Sequence, residues 1–163
     1  MRSRSPRDID LIVLHCTDTK PRQDYTIERL CNDHANRGFG TYPGYHFFVK
    51  RDGSLYYCRP LALKGCHVTG YNSRSIGICT EGGHRQDAPF AKEPQYAAYK
   101  ASGRSLYEDN RTAEQLVVLH EVLTTLLEMF PQARIVGHHD LNPAKQCPCY
   151  DAAKEYAYLR RDY

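Results

Sequence analysis

The chain has 163 residues, a formal charge of +3 from 22 Lys and Arg against 19 Asp and Glu, and hydrophobic and charged shares of 41% and 25%. This composition excludes an intrinsically disordered chain, and the length suits one domain over residues 1–163, because two halves would each bury a poor core. With so small a charge and no dense run of Lys or Arg, a nucleic-acid partner is not expected; no stretch approaches the roughly 18 apolar residues that span a bilayer.

The basic opening Met1-Arg2-Ser3-Arg4-Ser5-Pro6-Arg7 leads only into a short apolar run interrupted by Asp10, which cannot serve as the core of a secretory signal. Synthesis in the cytoplasm without a signal peptide is expected, with any export by another route. Residues 9–16 form a nearly continuous apolar strand of the kind covered on both faces, with His15 at its end. Thr26 is positioned to cap a helix through about Arg37, stopped by Gly38. Residues 45–50 and 54–58 are rich in aromatic and β-forming residues, and Arg51-Asp52-Gly53 between them carries a hairpin signal. Ser75–Thr80 reads as a further strand ended by Gly82-Gly83. Residues 84–110 are polar, dotted with tyrosine and broken by Pro89, Pro94 and Gly103, an irregular excursion with one short helix near Gln95–Ala101. Thr112 with Gln115 forms a capping box, followed by Leu116, Leu119, His120, Leu123, Leu126 and Leu127 at helical spacing, His120 with a packing role. Ile135-Val136-Gly137 reads as a strand feeding His138, and residues 151–159 as a final helix. Strands alternating with helices predict an α/β (α+β) fold around a central sheet.

The seven cysteines, at 16, 31, 58, 66, 79, 147 and 149, are odd in number and irregular in spacing, and read as free thiols. Cys147 differs in its context. His15, His138 and Cys147 each sit where a strand or the segment after it can deliver one ligand, and two imidazoles with one thiolate suit zinc; three protein ligands leave a fourth position for water or substrate, the mark of a catalytic site. Neighbours on a strand point oppositely, so only one of His138 and His139 is expected to ligate, and Cys149 competes with Cys147 on spacing alone.

Leu14-His15-Cys16, Gly44-Tyr45-His46-Phe47, Arg51-Asp52-Gly53, Gly65-Cys66-His67, Gly70-Tyr71-Asn72, Ser75-Ile76-Gly77-Ile78, Gly82-Gly83 and Gly137-His138-His139-Asp140 running to Lys145-Gln146-Cys147-Pro148 occur in one order. In that order the chain resembles the zinc-dependent N-acetylmuramoyl-L-alanine amidases, which include amidase-type phage lysozymes and share a fold with peptidoglycan recognition proteins. The resemblance runs from about Asp10 to Asp151. It implies a mixed β-sheet flanked by helices, Zn2+ held by His15, His138 and Cys147, and catalytic roles for Tyr45 and Lys145. It also implies hydrolysis of the amide joining the lactyl group of N-acetylmuramic acid to L-alanine of the peptidoglycan stem peptide, as in a phage or prophage endolysin or a wall-remodelling enzyme. His67 and Asn72 are candidates for substrate contact. Some family members place a glutamate where this chain has Cys79; Glu81 nearby is not promoted to that role. Residues 84–110 are a candidate lining for the groove that receives glycan or peptide.

Two other readings compete. A non-catalytic muropeptide-binding module would not need the full set of His15, His138, Cys147, Tyr45 and Lys145. A structural zinc protein would need Cys149 or His139 as a fourth ligand. A monomer is expected, meeting peptidoglycan or a soluble muropeptide and no membrane.

Overall fold

The computed structural model describes residues 3–160; Met1 and Arg2 of the basic leader lie outside the described residues, as do residues 161–163. Five strands, β1 (Leu11–Cys16), β2 (Phe47–Val49), β3 (Leu55–Tyr57), β4 (Ser75–Thr80) and β5 (Arg134–Gly137), form one mixed sheet in the order β3-β2-β4-β1-β5. β1 lies parallel to both β4 and β5, and β2 lies parallel to β4. β3 turns back antiparallel on β2 through the predicted Asp-Gly turn, where Gly53 takes φ 86°, a left-handed conformation that costs glycine little. β1 and β4 are buried at every position, as apolar strands covered on both faces must be.

Helices α1 (Ile27–Asn36), α2 (Tyr96–Ala101), α3 (Ala113–Met129), α4 (His138–Leu141) and α5 (Ala152–Glu155) flank the sheet. Ile12, Leu14, Ile76 and Ile78 pack against Leu119, Leu123 and Leu126 of α3 and Ala152 of α5. Strand alternation turns Leu11 and Val13 to the opposite face, where Val68 and Leu141 cover them. His15 shares their parity. The strand pleat therefore sends it away from the large α3 core, toward the face where the site forms.

Thr112 and Gln115 make the predicted capping box. Gln115 is fully buried, its amide donating to Val49 O at 3.2 Å and Glu81 O at 2.9 Å while its oxygen accepts from Thr112 N. The inward stripe of α3 runs through Gln115, Leu119, Val122, Leu123 and Leu126. Leu116 is exposed, and His120 packs only at the surface, stacked on Tyr158 and 3.0 Å from its hydroxyl. This corrects the phase expected from the leucines: Gln115 takes an inward place because three backbone groups need its amide. The expected final helix divides into α5 and a separate 3-10 turn at Ala157–Leu159. His138 and His139 open α4 instead of continuing β5, so their side chains diverge by the helical step of about 100° rather than by strand alternation.

Candidate metal centre and active site

Parallel register brings two histidines together. Leu14 of β1 pairs with Gly137 of β5, so His15 and His138 follow at the same carboxyl edge of the sheet, and their rings lie 4.6 Å apart. That edge is where open parallel sheets form ligand crevices. The segment after α4 supplies Cys147: His139 N donates to Cys147 O at 2.9 Å, and Cys16 N donates to Cys147 Sγ at 3.0 Å. One ligand atom from each of His15, His138 and Cys147 lies within 4.8 Å of the others, the one such His, Cys and carboxylate group among the described residues. Two ring nitrogens and a sulfur at that spacing could hold a metal ion.

The electrostatics suit ligation. Burial, with His138 and Lys145 nearby, holds His15 well below the usual histidine range; burial and then Lys145 lower His138 as well. Both rings stay neutral, the form that binds metal. The neighbouring Cys16 thiol and burial push the Cys147 thiol well above its usual range, so a bound cation must displace its proton.

His67 stands behind His15. His15 Nε2 meets His67 Nδ1 at 2.8 Å, and His67 Nε2 meets Ser75 Oγ at 3.1 Å. Of the two tautomer sets that satisfy this chain, the one in which His15 donates to His67 keeps His15 Nδ1 free for a metal. Asn72 Oδ1 accepts from the backbone N–H groups of His67 and Val68 at 2.8 and 2.9 Å, shaping the turn that carries His67. A cleft of about 820 Å³ opens over the cluster, lined by Tyr45, His67, Asn72, His138, Lys145 and Cys147 among others; His15, 1% exposed, lies beneath that lining. The Tyr45 ring sits 5.0 Å from His15 and 5.1 Å from His34. Burial, and then the buried sulfurs around it, push the Tyr45 hydroxyl well above its usual range, so it remains a phenol. Lys145 is exposed at the cleft wall, close enough for its charge to act on both histidines.

The family model of N-acetylmuramoyl-L-alanine amidase matches residues 5–150 of this chain. The chain belongs to the N-acetylmuramoyl-L-alanine amidase family. It is similar to the endolysin of Escherichia phage T7, with 32% identity over 142 residues covering 87% of this chain and 82% of that protein. It is also similar to the endolysin of Enterobacteria phage K11, with 35% identity over 138 residues covering 85% and 79% of the two chains. The N-acetylmuramoyl-L-alanine amidase LysC from Clostridium intestinale shares the fold at TM-score 0.71 and 23% identity, over 96% of this chain and 89% of that one. PGRP-SA from Apis mellifera shares it at TM-score 0.65 and 18% identity, over 92% and 82%.

In this amidase the two rival ligands stand apart from the cluster. His139 Nδ1 lies 3.3 Å from Gln146 O, and Cys149 Sγ meets Cys16 Sγ at 3.7 Å and Gly83 O at 3.5 Å. Glu81 is buried and structural, accepting from Tyr25 N at 2.8 Å and Arg51 N at 3.0 Å. Cys79, fully buried, lies against the Tyr45 hydroxyl. The cleft also includes Cys16, Asp18 and His34, which sequence reasoning left without a role, and Tyr107, from the segment 84–110 expected as a candidate groove lining. His34 had a signal, since it falls one turn after Leu30 on the inward side of α1; Asp18 had none, because only tertiary contacts bring it there. No helix among the described residues is long and apolar enough to cross a membrane.

Proposed function

We propose that this amidase is a zinc enzyme of the endolysin type, holding Zn2+ through His15, His138 and Cys147 and cutting the bond between the lactyl group of N-acetylmuramic acid and L-alanine of the stem peptide. The observation that carries this reading is the convergence of three ligand atoms within 4.8 Å beneath a cleft shared by Tyr45 and Lys145. A tetrahedral zinc shell sets nitrogen and sulfur ligands roughly 3.3–3.6 Å apart, within reach of small side-chain adjustments. With three protein ligands and both His139 and Cys149 engaged elsewhere, the shell keeps an open position, which favours a catalytic over a structural metal.

When bound, zinc supplies a water acidified to a pKa near 7 and a Lewis acid for the carbonyl oxygen. The Lys145 ammonium stabilises the negative charge that develops on that oxygen as the tetrahedral intermediate forms. Tyr45, kept as a phenol, donates a hydrogen bond at the reacting centre and orients the attacking oxygen; it does not act as a phenolate base. His67 holds the His15 ring by accepting its Nε2 proton, a support that metal-binding histidines commonly have. Asn72 acts one step further out by fixing the backbone of His67. The substrate is peptidoglycan or a fragment bearing muramic acid and peptide.

Mass spectrometry of a muramyl-peptide digest tests the reading. Release of an intact stem peptide and intact sugar, lost on chelation and restored by zinc, is the expected result. An uncut substrate despite one bound zinc per folded chain would overturn it.

A further inference from the structure

Residues 84–110 leave the sheet and return to the cleft. The return is closed by an antiparallel bridge between His84 and Tyr107, with Arg85 N donating to Leu106 O and Glu108 N to Gly83 O. It brings Tyr107 into the cleft wall beside Asp18, which follows β1 at φ 55°. Asp18 is anchored from behind: its Oδ1 accepts from His84 Nδ1 at 2.8 Å, and the His84 ring is buried between Phe90, 4.4 Å away, and Tyr107, 5.8 Å away. The carboxylate itself remains 52% exposed, so its second oxygen faces solvent in the cleft. No described residue hydrogen-bonds the Tyr107 hydroxyl.

We propose that Asp18 and Tyr107 form a glycan subsite, binding the sugar side of the substrate while the scissile amide lies over His15, His138 and Cys147; this rests on the amidase reading above. A carboxylate with a free oxygen accepts strongly from hydroxyl groups, and an aromatic side chain offers an apolar face with a polar tip. Together they match a pyranose ring, which presents hydroxyls at its rim and C–H groups on its faces.

The test compares two substrates of the zinc-loaded protein with the same scissile amide: a disaccharide–tripeptide and a D-lactoyl-tripeptide that lacks sugar. Asp18→Asn and Tyr107→Leu, each checked for an unchanged melting profile, are expected to raise KM for the disaccharide substrate about tenfold with kcat unchanged, and to leave KM for the lactoyl-peptide as it was. An equal change on both substrates, a change confined to the lactoyl-peptide, or no change on either would overturn the subsite. Titration with the peptide-free disaccharide, followed by amide NMR shifts, requires no turnover: shifts at Asp18 and Tyr107 in the wild type, lost in Asp18→Asn, support the subsite, and their absence overturns it. A wild type that binds the disaccharide but cleaves neither substrate would sink the amidase reading and leave the subsite standing.

Discussion

Both ring nitrogens of His67 are engaged within the protein, by His15 and by Ser75. A residue that fixes the orientation of a metal ligand contributes to metal affinity without touching the metal. His67→Ala is expected to weaken zinc binding about 10- to 100-fold, read by competition with a chromophoric chelator, and His67→Gln to recover part of the loss by accepting from His15 again. Lys145→Ala acts on a different quantity: zinc content unchanged and kcat lower by roughly 100-fold or more, as for removal of one group stabilising an oxyanion. If Lys145→Ala instead lost its zinc, the lysine would belong to the architecture of the centre.

At the scale of elements, Gln115 is a buried polar tie between α3 and the sheet. Gln115 pairs with Thr112 N, Val49 O and Glu81 O at once; Val49 O keeps a second donor in Glu81 N, and each buried backbone group left unpaired costs about 1–3 kcal/mol. Thr112→Ala removes the cap, worth about 1 kcal/mol, and the hydrogen bond that Thr112 Oγ1 donates to Arg51 O at 2.6 Å. Urea unfolding is therefore expected to rank Gln115→Leu as clearly more destabilising than Thr112→Ala; the reverse order would mean that the amide is not the tie. The start of α3 was legible because a capping box is a local device, written in residues three apart. Its inward face was less so, since Gln115 is polar and its burial depends on carbonyls from β2 and from the turn after β4. The apolar run of β1 and the Asp-Gly hairpin were legible for the same local reason. His138 and His139 were not legible as a helical turn, because α4 is held by the distant bond from His139 N to Cys147 O as well as by Asp140 Oδ2, which accepts from Gly137 N at 2.8 Å. The ligand positions came from motif resemblance, whereas Asp18 and Tyr107 depend on how an irregular excursion folds back.

The molecule as a whole carries a pH dependence in its buried histidines. His46 is fully buried, its Nδ1 accepting from Gly77 N at 3.0 Å and its Nε2 facing Leu63 O at 2.9 Å. Burial, with Arg4 and Arg59 adding repulsion, lowers its pKa to about 3 from 6.5. The unfolded chain takes up this proton first as pH falls, so His46 leaves stability unchanged above about pH 6.5 and reduces it between 6.5 and 3, by about 1.4 kcal/mol per pH unit at most. Urea titrations of metal-free protein are expected to show that slope, and His46→Gln to reduce it; an unchanged slope would assign the effect to other groups. Chelation at neutral pH should lower Tm, since a ligand bound only by the folded state stabilises it by mass action.

The three residues of the proposed metal centre stand at positions 15, 138 and 147, one in the first strand of the sheet and two after the last. Synthesis runs from the first of these to the last. A nascent chain can build β1, the hairpin and much of the α3 core long before Cys147 is added, yet every product ending short of that residue lacks a ligand. With the proposed ligand set, hydrolytic power is therefore withheld from translation intermediates and from fragments that end before Cys147.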